Sequence, residues 1–331
     1  MKFGFIPTEG GHYYQDFFDE VLYGEALGFD SVWLEEHHGV TNHYWPSPLI
    51  GLAGIATATK NILLGTDILV LPFYHPVRVA EDAAMLDIIS NGRFIFGAAI
   101  GYKPDEFSLY QVAMEKRGQR FEEAICLIKQ LWTQEEVCFH GNHYHVDGLK
   151  IEPRPKSRPH PQLWLGGWGD LSLSRAAILG DAWIPGPTAN LEKLLEAQRL
   201  YHGKLAAAGI EPQSRPRPLT REVVIAETDV QAVQVAEDHL LINYRDEYGG
   251  GRWKHPFIGS EDPSPVAQFE SLSQDRFLVG SPTTIIQQIQ LFQNRFKMDH
   301  LICRLYFPGI PHEFIMNELK LLAEDVMPAF K

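Results

Sequence analysis

Short apolar runs rich in Val, Ile, Phe and Leu alternate along the chain with longer stretches whose apolar residues recur at helical spacing. This alternation predicts parallel βα units rather than separate all-β and all-α regions. Eight strands are expected: Lys2–Pro7, Ser31–Leu34, Ile62–Leu69, Arg93–Ala99, Gln162–Gly166, Ala182–Ile184, Glu222–Ala226 and His300–Phe307. Runs such as FIFGAAI and REVVIA are apolar on both phases, as expected of strands covered outside by helices and packed inside against one another.

Helix ends mark the intervening elements. Ser47-Pro48 and His75-Pro76 each offer an N-cap and a first-turn proline, and Asn91-Gly92 closes the second of these helices. Further helices are expected over Asp16–Leu27, Arg117–Trp132, Leu173–Leu179, Leu191–Ala208, Val230–Asn243, Pro282–Phe296 and Glu313–Asp325. Eight βα repeats in 331 residues predict a single α/β domain over 1–331, a (β/α)8 TIM barrel with its active site at the C-terminal strand ends. A doubly wound sheet is the alternative. Two insertions interrupt the repeats. In 137–158, Gly141-Asn142 reads as a hairpin turn. In 244–280, Gly249, Gly250 and Gly251 would hinge a lid whose Trp253, His255 and Phe257 give apolar cover, with disorder as the alternative.

Composition narrows the function. A net charge of -13 disfavours a nucleic-acid partner, and the basic stretch Lys150–Arg158 is interleaved with proline as an extended connection would be. Three widely spaced cysteines fit free thiols in a reducing compartment, so the cytoplasm is expected. With neither a long apolar run nor a signal-peptide pattern at the N-terminus, no membrane association is expected.

Common catalytic motifs are missing. Gly167 and Gly169 begin a G-x-G-x-x-G pattern that Ser172 breaks, and no Walker A loop, G-x-S-x-G elbow or H-E-x-x-H pair occurs. The first strand has no H-x-H, and Glu227 finds no clear partner for a two-carboxylate glycosidase. The stretch EEHHGVTNHYW is more informative. Glu36, His37 and His38 end the second strand, where one imidazole would face the barrel mouth as acid, base or hydrogen-bond donor and its neighbour would pack away. A metal site is the lesser alternative, and no metal is expected. His140, His143 and His145 on the hairpin read as surface residues. In QLWLGGWGDLSLSRAAILG a strand, a small-residue turn and a helix start follow one another. Gly166, Gly167, Trp168, Gly169, Asp170, Leu171 and Ser172 would let backbone N–H groups cradle a phosphate, unless this is only a tight βα turn.

Taken in order, WLEEHH, LGTDILVLPFYHPVRVAEDAAMLDIISNGRFIFG, GYKPDEF, LGGWGD and DVMPAF resemble the bacterial luciferase-like flavin monooxygenase superfamily over nearly the whole chain. The resemblance implies a barrel that binds FMN or a deazaflavin at its C-terminal face, with the second insertion as a mobile lid. It puts His37 at the family's catalytically important histidine, with His38, Glu36, His75 and Tyr102 as lesser candidates. Gly65, Thr66, Asp67 and Ile68 fall where relatives hold a non-proline cis peptide beneath the flavin ring, which points to the Asp67-Ile68 bond. Ile100, Gly101 and Tyr102 follow the fourth strand in the cofactor region. Ile100 replaces an arginine that pairs with phosphate in luciferase, leaving backbone N–H groups, Ser172, Ser174 or Arg175 to anchor it. Gln111 replaces a glycine common after GYxxxEF.

The activity implied is a monooxygenase that takes reduced FMN from a separate NAD(P)H:flavin reductase. O2 would add at the flavin C4a position to oxidise a small, largely apolar substrate held by Tyr44, Trp45 and the lid. Hydride transfer with a deazaflavin coenzyme and no O2 is the alternative, and a flavin-binding relative without turnover is a third. A homodimer is expected, with LIGLAGIATAT as a candidate contact helix that could equally pack within the monomer.

Overall fold

The computed structural model describes residues 1–10, 13–39, 44–248 and 269–331, so the expected lid residues Gly249, Gly250, Gly251, Trp253, His255 and Phe257 lie outside the described residues. The strands are β1 Lys2–Ile6, β2 Ser31–Leu34, β3 Leu63–Thr66, β4 Leu69–Val70, β5 Phe94–Ala99, β6 Val137–His140, β7 His145–Leu149, β8 Gln162–Gly166, β9 Ala182–Ile184, β10 Pro218–Ile225, β11 Leu278–Gly280 and β12 His300–Arg304. The α-helices are α1 Tyr14–Leu27, α2 Pro48–Ala58, α3 Pro76–Ile89, α4 Pro104–Leu109, α5 Arg117–Thr133, α6 Asp170–Leu179, α7 Leu191–Ala207, α8 Asp229–Val235, α9 Leu241–Tyr248, α10 Phe269–Ser273, α11 Pro282–Phe296 and α12 His312–Leu321. The chain forms two compact units, one of Met1–Val32, Pro185–Leu200 and Pro216–Lys331, the other of Trp33–Ile184 and Tyr201–Arg215.

In the first unit β1, β12, β10 and β11 pair in parallel, with Phe3 beside Leu301, Leu219 beside Leu301 and Val223 beside Leu278. α11 buries Ile285, Ile289, Phe292 and Phe296, a helical stripe that makes it amphipathic, and ends at Lys297 in the left-handed region. Among the boundaries that differ from expectation are those of β10 and β11. β10 begins at Pro218 instead of Glu222, because Arg221 is accommodated in a buried strand by donating to the carbonyls of Pro187 and Thr220 and lying over Phe292, 4.7 Å from its ring centre. β11 was expected to be part of an insertion. It is a strand of only three residues, too short to display a period of two, and it gains its partner from β10, far away in sequence.

In the second unit β3, β5, β8 and β9 pair in parallel, and β4 also pairs with β5. The expected strand Ile62–Leu69 is broken: β3 ends at Thr66, β4 resumes at Leu69, and the Asp67–Ile68 peptide between them is cis. Thr66 and Gly97 lock the neighbouring strands. The Thr66 hydroxyl donates to the Gly97 carbonyl at 2.6 Å and accepts from its N–H at 3.0 Å, and a Cβ on Gly97 would stand 1.8 Å from the Thr66 carbonyl oxygen. Arg93 is buried because every direction of its guanidinium meets an acceptor: the carbonyls of Ser90, Ile62, Ala56 and Thr59, and the Thr59 hydroxyl. Two of these, on Ala56 and the cap residue Thr59, are carbonyls at the end of α2 that the helix itself leaves without partners. His75 caps α3 as expected, its Nδ1 accepting from the Val77 N–H at 3.3 Å, whereas the Ser47 side chain makes no cap bond to α2 and only Pro48 fulfils the expectation there. β6 and β7 form the expected antiparallel hairpin, closed by Gly141 N–H to the Tyr144 carbonyl at 2.9 Å. Among the described residues no helix is long and apolar enough to cross a membrane.

Candidate active site

Beyond β2 the chain stays extended long enough for Glu36 to bridge Trp45, and the next three side chains divide their work. Glu36 is fully buried. Its Oε1 accepts from His38 Nε2 at 3.0 Å and from the Tyr74 hydroxyl, while Oε2 accepts from the Val70 N–H. A carboxylate can only accept, so His38 carries its proton on Nε2, and Nδ1 accepts from the Tyr110 hydroxyl at 2.9 Å. Burial, then the charge and hydrogen bond of Glu36, push the Tyr74 phenol far up. Burial and the charges of Glu36 and Glu106 raise Tyr110. Both phenols therefore remain donors at neutral pH. Phe73 stacks on Tyr110 with ring centres 4.8 Å apart and closes this network, which uses both nitrogens of His38.

His37 is arranged differently. Its Nδ1 donates to Glu106 Oε1 at 2.8 Å, and the same oxygen accepts the His38 N–H at 2.9 Å. Glu106 comes from the first turn of α4 and is 3% exposed. Burial alone would raise its pKa, but the His37 bond and charge, the His38 amide and the Lys103 charge together hold it below the ordinary value. With Nδ1–H committed to a carboxylate, the neutral imidazole presents its lone pair at Nε2, which suits it to take up and return a proton. The rings of Tyr44 and Tyr102 stand edge-on to it at 4.5 and 6.0 Å.

His75, the remaining catalytic candidate, is not part of this cluster. Its ring stands 5.6 Å from that of Tyr144 in a second polar group at the start of α5. There the Arg120 guanidinium lies over the Tyr144 ring at 5.2 Å, and Arg117 sits three residues earlier on the helix. Arg117 Nε, Arg120 Nε, His143 Nε2 and the Tyr144 hydroxyl are all buried without a hydrogen-bond partner. Such orphaned groups are costly unless something fills them. His143 was expected to be a surface residue. It is half-buried, and its N–H donates to Glu123 at 2.8 Å.

The glycine turn leads into α6, which meets α5 through Gly118 and Glu122. α6 starts at Asp170 with no side chain capping its first N–H groups. Gly167 has φ 130°, which suits glycine, and a Cβ there would meet Ser172 at 2.5 Å. Trp183 Nε1 donates to the Gly167 carbonyl at 2.8 Å, and Trp168 stands edge-on to Trp183. Gly169, Asp170 and Leu171 are exposed; Lys204 pairs with Asp170 at 2.7 Å. Arg175 is occupied by Glu122 of α5 at 2.7 Å, which removes it from the candidates for an anion and ties α6 to α5.

The Ile68 side chain approaches Gly166, 3.7 Å from where a Cβ would stand, so these two cofactor candidates come together. Gly65 lies flat against the Trp33 ring, and Ile100, Gly101 and Tyr102 lead from β5 into α4. Trp45, expected to line a substrate pocket, is buried against Gly51 of α2. Glu106, Tyr74, Tyr110, Lys103, Arg117, Arg120 and Tyr144 were not singled out from the sequence. Only GYKPDEF held a local sign of one of them, an acidic residue in a proline-started helical turn. Among the described residues no three His, Cys, Asp or Glu side chains are placed to share a metal ion.

Residues 2–296 match a family described as luciferase-like monooxygenase. The chain is 28% identical to the oxygenase component of the flavin-dependent trigonelline monooxygenase of Acinetobacter baylyi, over 92% of this chain and 86% of that protein. It is 26% identical to the F420-dependent glucose-6-phosphate dehydrogenase of Amycolatopsis mediterranei, over 100% of this chain and 99% of that one. The crystal structure of monooxygenase RslO1 from Streptomyces bottropensis superposes with a TM-score of 0.85 at 26% identity, covering 100% of both chains.

Proposed function

The chain belongs to the luciferase-like monooxygenase family, and from that premise we propose that it is a flavin-dependent oxygenase. In this reading it takes reduced FMN from a separate NAD(P)H:flavin reductase and inserts one oxygen atom of O2 into a small, largely apolar organic substrate, the other leaving as water. The observation that carries it is the set of buried polar atoms without a partner, Arg117 Nε, Arg120 Nε, His143 Nε2 and the Tyr144 hydroxyl, taken together with the glycine turn that starts α6. Two guanidiniums, an imidazole and a phenol at a helix start are donors suited to a phosphate monoester. This fits a phosphorylated flavin.

Each residue then has a task. Arg117, Arg120, His143, Tyr144 and the N–H groups from Gly167 to Ser172 bind the phosphate. Gly65, Thr66, Asp67, Ile68, Ile100, Gly101 and Tyr102 flank the ring. When bound, the reduced flavin supplies the two electrons that activate O2. His37, oriented by Glu106, holds or moves a proton at Nε2, and the rings of Tyr44 and Tyr102 stand edge-on to it. The separate reductase is supported by the name of the Acinetobacter relative, an oxygenase component. A homodimer belongs to the same reading, supported by Ile50, Met85, Ile88 and Ile89, which α2 and α3 leave exposed.

A second reading, hydride transfer with a deazaflavin, is favoured by the F420-dependent relative that aligns over 100% of the chain. One experiment separates the two. The protein is titrated anaerobically with reduced FMN and, separately, with reduced deazaflavin, and each mixture is then exposed to O2. Saturable binding of reduced FMN and an altered rate of its oxidation relative to free FMN support the oxygenase. Saturable binding of the deazaflavin alone overturns it.

A further inference from the structure

Lys103 precedes α4 and is 5% exposed. Its Nζ lies 5.7 Å from the Tyr44 ring centre and 5.9 Å from that of Tyr102, the two rings that stand edge-on to His37. A buried ammonium between two aromatic faces is held by their quadrupoles, and in a water-poor surrounding its field reaches neighbouring charges with little screening. The neighbour that matters is Glu106, one turn along the same segment.

We propose that Lys103 is a positioning residue for His37. Its ammonium, lodged over Tyr44 and Tyr102, holds the negative charge on Glu106 and so keeps the His37 proton on Nδ1 and the lone pair on Nε2. The groups facing Glu106 are the His37 ring and His38 amide beyond β2, the Tyr110 phenol after α4, and Lys103; Glu36 acts from behind His38. Burial is the largest influence on Glu106 and favours its neutral form. The His37 and His38 contacts oppose it most, and the charge of Lys103 adds to them. Were Glu106 to take a proton, its O–H could donate to Nδ1 and drive the imidazole proton to Nε2. The acceptor face would become a donor face. Lys103 thus acts on the tautomer through a carboxylate, without itself meeting substrate.

The inference rests on His37 being the proton-handling group of the proposed function, but its test needs no flavin, so the two fail separately. In the full-length protein, with and without FMN, the Glu106 carboxyl carbon and the His37 ring nitrogens are followed by NMR from pH 4 to 9. Glu106→Gln and His37→Ala serve to assign the signals. In Lys103→Met the Glu106 midpoint is expected to rise by about half a pH unit or more, roughly a threefold gain in proton affinity, with the His37 nitrogens changing at the same pH. Lys103→Arg should restore the wild-type curve. In a Glu106→Gln background, Lys103→Met should leave the His37 nitrogens unchanged. Lys103→Gln gives the same readout should the methionine variant not fold. An unmoved Glu106 midpoint, or a Lys103 effect on His37 that persists without the Glu106 charge, overturns the proposal.

Discussion

Glu106 and His37 are joined by a 2.8 Å hydrogen bond across 69 positions of sequence, and the bond is built for an ionised carboxylate. Although burial pushes Glu106 up, its partners hold its folded-state pKa below the 4.5 of an ordinary glutamate. The stabilisation is therefore fully present above about pH 4.5 and is lost as pH falls through the lower, folded value. Urea midpoints of wild type and Glu106→Gln should differ at neutral pH and converge under acid conditions. Coupled oxygenation in Glu106→Gln and His37→Ala should fall about 10²- to 10⁴-fold, with FMN affinity nearly unchanged. An intact turnover rate in His37→Ala would remove it from the chemistry.

Glu318 predicts the opposite pH trend. It is completely buried on α12, accepts the Ile225 N–H at 2.9 Å, and is pushed well above the usual range by burial, with the charge of Glu20 adding to the shift. A folded state that keeps this proton while the unfolded chain releases it loses stability as pH rises above about 4.5 toward the folded value. Glu318→Gln keeps an acceptor for Ile225 and has no charge to bury. It should melt higher than wild type at alkaline pH, and the gap should close below pH 4.5. A gap independent of pH would contradict the assignment.

Much of this architecture is legible in periodicity, because both faces of strands such as β5 are buried and read as unbroken apolar runs. α11 was expected with the bounds observed, since Ser281-Pro282 and the apolar stripe agree. What local pattern does not carry is pairing across distance. His38 meets Tyr110 at a separation of 72 residues, and Arg120 of α5 meets Tyr144 in the hairpin turn. The His-His pair and Glu36 were visible in the sequence, but not that Glu36 bonds His38 or that Glu106 bonds His37. His75 was expected to cap α3, which it does, and was a lesser catalytic candidate only through the resemblance. The cis bond at Asp67–Ile68 was legible only through the resemblance, as no composition rule marks it.

The glycines give a paired test of packing. A Cβ at Gly97 would press on a backbone oxygen of the adjacent strand at 1.8 Å, and no side-chain rotation relieves that contact. Gly97→Ala should cost about 3 kcal/mol or more, or prevent folding. At Gly203, exposed within α7, a Cβ meets nothing within 4 Å. Gly203→Ala should stabilise by about 0.5–1 kcal/mol through helix propensity. Thermal melts of the two variants check both signs.

The phosphate assignment is tested by comparing two ligands that differ only in that group. FMN and riboflavin share the ring and ribityl chain, so a residue that holds the phosphate should discriminate between them. Removing one charge-assisted hydrogen bond costs about 1.5–3 kcal/mol, or roughly ten- to a hundredfold in affinity. Arg120→Met should weaken FMN binding by that factor and leave riboflavin nearly untouched. Tyr144→Phe should act in the same direction by less, since a neutral donor contributes less than a charged one. The Tyr144 hydroxyl is buried without a partner, so unliganded Tyr144→Phe should unfold no earlier than wild type, whereas Arg120→Met also gives up the guanidinium contact with the Tyr144 ring. Equal losses for FMN and riboflavin would move the site to the ring or to packing. A loss confined to FMN, with unchanged or raised unliganded stability, would mark Arg120 and Tyr144 as groups kept for the ligand and not for the fold.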